Sequence, residues 1–233
     1  MRQRMKILVL GDSVTAGCTF SGTTSSTCYV ERLRAHLDAV ALDVEVVASA
    51  LEGIDTGYAV KRFSRMVTVH EPDLVLVMLG LNDALPPGQR EPASPDTYRQ
   101  NLLGLVDRIL AIDARPILVT PNPRPALLTD ASPDGARDEP NRLMTPYAVA
   151  VREVADHYQI PCVDIYERFV AAGGLTLLVP DGTHPNPVGH ALIAQALADL
   201  IIPMLGGVVP HESSAPSEAS APADQSEPVI AGG

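Results

Sequence analysis

Residues 5–13 read Met5-Lys6-Ile7-Leu8-Val9-Leu10-Gly11-Asp12-Ser13, an apolar run that stops at a glycine. A strand with one wet face alternates apolar and polar side chains. A continuous apolar run suits a strand covered on both faces, as inside a parallel sheet. Working outward, further strands read at Val44–Val47, a short one, at Asp73–Leu79 before Gly80, the strongest, at Pro116–Thr120 and at Ile160–Asp164. Helical spacing fills the intervals. Residues 28–40 set Val30, Leu33, Leu37 and Val40 on one face. Asp55 is placed to cap a helix running to about Val69, and Ser94-Pro95 opens one over 95–113. Asn141 or Thr145 opens another to about Tyr158, and Pro187–Leu205 forms the last. Strand–helix alternation predicts an α/β fold, three-layer α/β/α, with a doubly wound parallel sheet of about five strands.

A chain of 233 residues suits one well-cored domain. Residues 1–206 are expected to form it. Residues 207–233 are rich in Ser, Ala, Pro and Glu without periodicity, and a disordered tail is expected there. Residues 121–140, rich in Pro, Asp and Arg, read as a long irregular loop of the functional or disordered kind.

The formal net charge is −11. Without Lys/Arg clusters of its own, such a chain is a poor partner for nucleic acid or an anionic membrane surface. The basic start runs straight into Gly11-Asp12 with no small-residue cleavage site, so no secretory signal is read. The apolar stretch at 191–209 holds Asp199, Pro203 and two glycines, a poor membrane span. A cytoplasmic location without stable membrane association is the expectation. The three cysteines make no disulfide framework. Cys18 and Cys28 bracket a Ser/Thr/Gly-rich loop and could pair if the chain is exported; Cys162 reads as a core thiol. The sequence carries no signal of oligomeric state.

In open α/β sheets, ligands bind beyond the carboxyl ends of the strands. Ser13 follows the first strand at such an end, where its hydroxyl faces the crevice and nearby N–H groups can hold an oxyanion. Taken alone, Gly-Asp-Ser is a tripeptide that chance supplies readily. A serine hydroxyl needs a base, and Asp181-Gly182-Thr183-His184-Pro185 offers one. Asp and His three residues apart on a turn let the carboxylate fix the imidazole tautomer and leave Nε2 free for the serine proton. A lone histidine is more often structural, which is the reading for His36, His157 and His190 in their helical patterns. Gly80-Leu81-Asn82-Asp83 follows the third strand and Gly53 the second. Singly these are turn residues; together they fall after successive strands, as an acyl-transfer site requires.

These four blocks resemble the SGNH hydrolase superfamily, the GDSL-type lipase/esterases: Gly-Asp-Ser at 11–13, Gly53, Gly-x-Asn-Asp at 80–83 and Asp-x-x-His at 181–184. The resemblance spans about residues 5–205. It departs from the family's pattern at Ala48, where asparagine is frequent. It implies a flavodoxin-like sheet, Ser13 as nucleophile, His184 as base and Asp181 as its orienting partner. It also implies Ser13, Gly53 and Asn82 as oxyanion donors, with Asp12 and Asp83 holding loop backbone.

The implied function is a serine esterase hydrolysing carboxylic esters, of short acyl chains, on a small-molecule acyl ester substrate. No metal and no cofactor is implied: the cysteines lack zinc spacing and no Gly-rich phosphate loop follows a strand. An acyltransferase using the same serine, and a non-catalytic binding module on this fold, remain as alternatives. Arg124 and Arg137 in the 121–140 loop could meet an acidic substrate group, although solvated loop arginines are the commoner state.

Overall fold

The structure, a computed structural model, describes residues 4–17, 27–84, 91–124 and 143–206. Five parallel strands lie in the order β2-β1-β3-β4-β5: β1 (Met5–Gly11), β2 (Val44–Ala50), β3 (Leu74–Met78), β4 (Arg115–Val119) and β5 (Cys162–Val163). All five residues of β3, Leu74 to Met78, are buried, as their unbroken apolar run requires. Gly11 is in register with Ala50 of β2 and Met78 of β3, so three strands end level at one rim.

From β1 the chain steps outward to β2, then returns to the other side of β1 as β3. Right-handed crossovers then put the helices before and after that reversal on opposite faces. One face carries α2 (Tyr29–Ala39) packed on α8 (Pro187–Met204); the other carries α3 (Thr56–Lys61), α5 (Pro95–Leu110) and α6 (Thr145–Tyr158). Leu33 and Leu37 of α2, and Leu102, Leu105 and Ile109 of α5, are the buried stripes. Helix α8 is long and apolar enough to cross a membrane, but half of that window is buried inside the fold, against α2.

The helix expected from Asp55 to Val69 breaks into α3, α4 (Phe63–Met66) and a 3-10 turn over Thr68–His70. Arg62 and Val67 leave helical geometry (φ −109°, ψ 15° and φ −124°, ψ −61°), yet Thr56, Ala59, Phe63 and Met66 still bury one continuous stripe. Two elements had no counterpart in the sequence reading: α7 (Ile165–Ala171), whose cap Asp164 accepts the Glu167 N–H, and a 3-10 turn over Gly174–Leu177. The 207–233 tail, Cys18, Arg137 and residues 125–140 of the long loop lie outside the described residues.

Candidate active site

Ser13 opens α1 (Ser13–Ala16), a single turn begun immediately beyond β1. Asp12 caps it, its Oδ1 accepting the Val14 N–H at 3.0 Å. The turn is tight because Gly11 has no side chain: a Cβ there would stand 1.9 Å from Thr15 Oγ1 and 2.5 Å from Thr15 Cβ. Thr15 is itself held, 2.6 Å from the Tyr29 hydroxyl of α2. At the first helical position the Ser13 N–H has no acceptor within its own helix.

His184 reaches this serine from the loop before α8. Its Nε2 lies 2.8 Å from Ser13 Oγ, and its Nδ1 lies 2.6 Å from Asp181 Oδ2. The other carboxylate oxygen, Asp181 Oδ1, accepts the N–H groups of Thr183 at 2.8 Å and His184 at 3.0 Å. Partial burial opposes the Asp181 charge, but the bonds from His184 and Thr183 outweigh it and hold the carboxyl below its ordinary range. The loop is fixed at both ends. Val179 N–H donates to His184 O at 2.9 Å, and Asn186 caps α8 through the N–H groups of Val188 and Gly189.

The remaining expected residues converge on the same rim. Asn82 Nδ2 donates to Ile54 O at 2.9 Å, tying the loop after β3 to the loop that carries Gly53. Gly53 sits at φ 71°, in the left-handed region that favours glycine. Asp83 is buried and accepts the Thr56 N–H and hydroxyl, so it braces the start of α3. Asp12 is 2 % exposed; burial pushes its carboxyl up to about 7, against the Val14 N–H and the nearby His184, with Asp83 adding to the rise.

The GDSL-like Lipase/Acylhydrolase family profile matches residues 9–192. The chain belongs to this family. It is a hydrolase of carboxylic esters, and the resemblance to SGNH hydrolases holds across the fold. An arylesterase of Vibrio mimicus is 25 % identical over 201 residues, covering 84 % of this chain and 88 % of that one. An acetylxylan esterase of Geobacillus stearothermophilus is 27 % identical over 210 residues, covering 82 % and 91 %. A crystal structure of a lipase/acylhydrolase from Enterococcus faecalis superposes with a TM-score of 0.70 at 25 % identity, covering 87 % of this chain and 96 % of that one.

Some residues of this family member's site had no sequence signal. Asn122, fully buried after β4, donates through Nδ2 to Thr183 O at 3.0 Å, beside His184. A single asparagine in a Pro-rich stretch carries no pattern that would reveal this. Arg124, expected among solvated loop arginines, is only 8 % exposed. Burial lowers its pKa, with Asp181 pulling the other way. His190 is the structural histidine its helical pattern suggested: it is 1 % exposed, its ring stacked on Tyr29 at 6.1 Å.

Proposed function

We propose that this esterase works through an acyl-enzyme on Ser13. The observation that carries the reading is the short chain of contacts Ser13 Oγ–His184 Nε2–His184 Nδ1–Asp181 Oδ2. His184 Nε2 takes the hydroxyl proton as Ser13 Oγ bonds to the ester carbonyl carbon. The resulting oxyanion rests on the N–H groups of Ser13 and Gly53 and on the Asn82 amide. Each such donor is typically worth about 2.7–4 kcal/mol in the transition state. As the ester C–O bond breaks, His184 returns the proton to the leaving alcohol. Water then repeats the two steps, releasing the acid and restoring Ser13.

Short acyl groups are the preferred substrates. The name of one relative, an acetylxylan esterase, supports a short acyl group, and that of the other, an arylesterase, an aryl alcohol. The test is Ser13→Ala on the full chain. It should keep the wild-type circular dichroism and lose hydrolysis of p-nitrophenyl acetate; wild-type turnover in that variant overturns the nucleophile. A series from acetate to octanoate should show kcat/KM falling with chain length, and a rise toward octanoate overturns the short-acyl preference.

A further inference from the structure

Two cavities lie along the β2 edge of the sheet and share Leu51 and Tyr58. One, of about 530 Å³, is walled by Leu51, Glu52, Gly53, Ile54 and Tyr58. The other, of about 320 Å³, runs between the end of β2 and the residues Arg62, Arg65 and His70. Joined, they make one groove. Its near end is fixed beside the candidate nucleophile, because the Leu51 N–H donates to Gly11 O at 3.4 Å, two residues before Ser13.

The groove's lining is unusual for this chain. Leu51 is 48 % and Tyr58 39 % exposed, neighbouring apolar surfaces left open at a site. At the far end Arg62 and Arg65 are exposed, and neither makes an ion pair or side-chain hydrogen bond among the described residues. Residues 56–70 hold Lys61, Arg62, Arg65 and His70 without one Asp or Glu, in a chain of net charge −11. Among the described lining residues Glu52 has the only carboxylate, and it stands at the near end. A cleft with positive charge at one end draws anions that the rest of such a surface repels. Lys61 and Arg65 also sit in the last turns of α3 and α4, where cations are favoured. Arg62 is both the C-cap of α3 and the N-cap of α4, so the two helix ends oppose each other there.

We propose that the groove holds the part of the ester beyond the scissile carbonyl, and that Arg62 and Arg65 bind an anionic group on it, a carboxylate or phosphate. The apolar part of the substrate lies over Leu51 and Tyr58. The substrate class is then an acyl ester carrying a negative charge, which refines the serine-esterase reading above and rests on it.

The experiment compares matched esters on the full chain and on the R62E/R65E double variant. Phenyl acetate against 4-acetoxybenzoate places the charge on the alcohol; p-nitrophenyl butyrate against p-nitrophenyl hemisuccinate places it on the acyl group. In at least one pair, charge reversal should lower kcat/KM for the anionic member about tenfold or more, chiefly through KM, and leave the neutral member within about twofold. Added salt should narrow the wild-type preference. Competition by benzoate and by phenyl phosphate ranks the two anions. A double variant that shifts both members of each pair alike overturns the proposal; R62Q/R65Q serves if charge reversal disturbs folding. If the wild type hydrolyses no ester at all, the serine-esterase reading fails separately. Saturation-transfer NMR of 4-hydroxybenzoate against phenol then decides the groove: contact with the anion lost in the variant supports it, equal contact overturns it.

Discussion

Asn122 and Thr183 are joined by a hydrogen bond of 3.0 Å across 61 residues of sequence, linking the segment after β4 to the loop that presents His184. The donor is fully buried, and its Oδ1 has no hydrogen-bond partner among the described residues. This amide ties the imidazole loop to the segment after β4. Asn122→Ala removes the donor to the half-buried Thr183 carbonyl, a loss of about 1 kcal/mol. Turnover of p-nitrophenyl acetate should fall about tenfold with KM nearly unchanged, because a displaced imidazole costs rate rather than binding. A stability loss with kcat unchanged would reduce Asn122 to a packing residue.

Asp181 does two jobs with two oxygens, and Asp181→Asn separates them. The amide oxygen still accepts the N–H groups of Thr183 and His184, so the loop stays formed. Toward Nδ1, an amide no longer offers the charge that steadies an imidazolium or selects its tautomer. The expected result is a fall in kcat of about 10³–10⁴ with a wild-type melting curve. Activity within tenfold of wild type would show that the imidazole is oriented without the carboxylate.

Gly11 is a glycine for reasons of space: its neighbour Thr15 fills the place a Cβ would take. Thr15 is β-branched, buried and bonded to Tyr29, so it cannot swing aside. Gly11→Ala should therefore destabilise by about 1–3 kcal/mol, the usual cost of overpacking, and displace α1 with Ser13 on it. Adding Thr15→Gly, which removes the Cβ at 2.5 Å as well as Oγ1, should recover much of the activity. If the double variant is no better than the single one, the strain lies in the backbone.

The sheet was legible because its central strands announce themselves as apolar runs ended by a glycine or a polar residue, with Leu74–Met78 the clearest. Ser13 and Asn82 stand where two of those runs stop, and the structure puts them at that rim; the Asp181–His184 turn follows no strand, and its three-residue spacing before α8 is what marked it. What the sequence hid was set by tertiary contact. Nothing in the 60–70 segment marks Arg62 as a break, since Ala59, Phe63 and Met66 keep helical spacing across it. Helix α7 follows a strand of only two residues, so no strong period introduces it. Arg124 sits among prolines that read as open loop, and only the folded chain reveals its burial.

His190 yields a pH-dependent stability whose sign can be worked out. Burial first, then Arg32 and His184, lower its pKa from 6.5 to about 4. Between those values the unfolded chain binds a proton that the native ring refuses, so stability rises with pH across this window and is lost as pH falls through it. The difference amounts to about 3 kcal/mol when the window is fully crossed. Asp12 acts in the opposite direction: its raised pKa makes the native state take up the proton first, so acidification from about 7 favours folding. Wild-type curves alone would mix the two. His190→Met keeps an apolar side chain against Tyr29, removes the titration and leaves Asp12 in place, so the difference between the two proteins isolates the imidazole. Urea unfolding at intervals from pH 7.5 to pH 4 should show wild type losing ground to the variant below about pH 6.5. Parallel curves would mean that the native ring takes its proton as readily as the unfolded chain does, and would overturn the burial effect at His190.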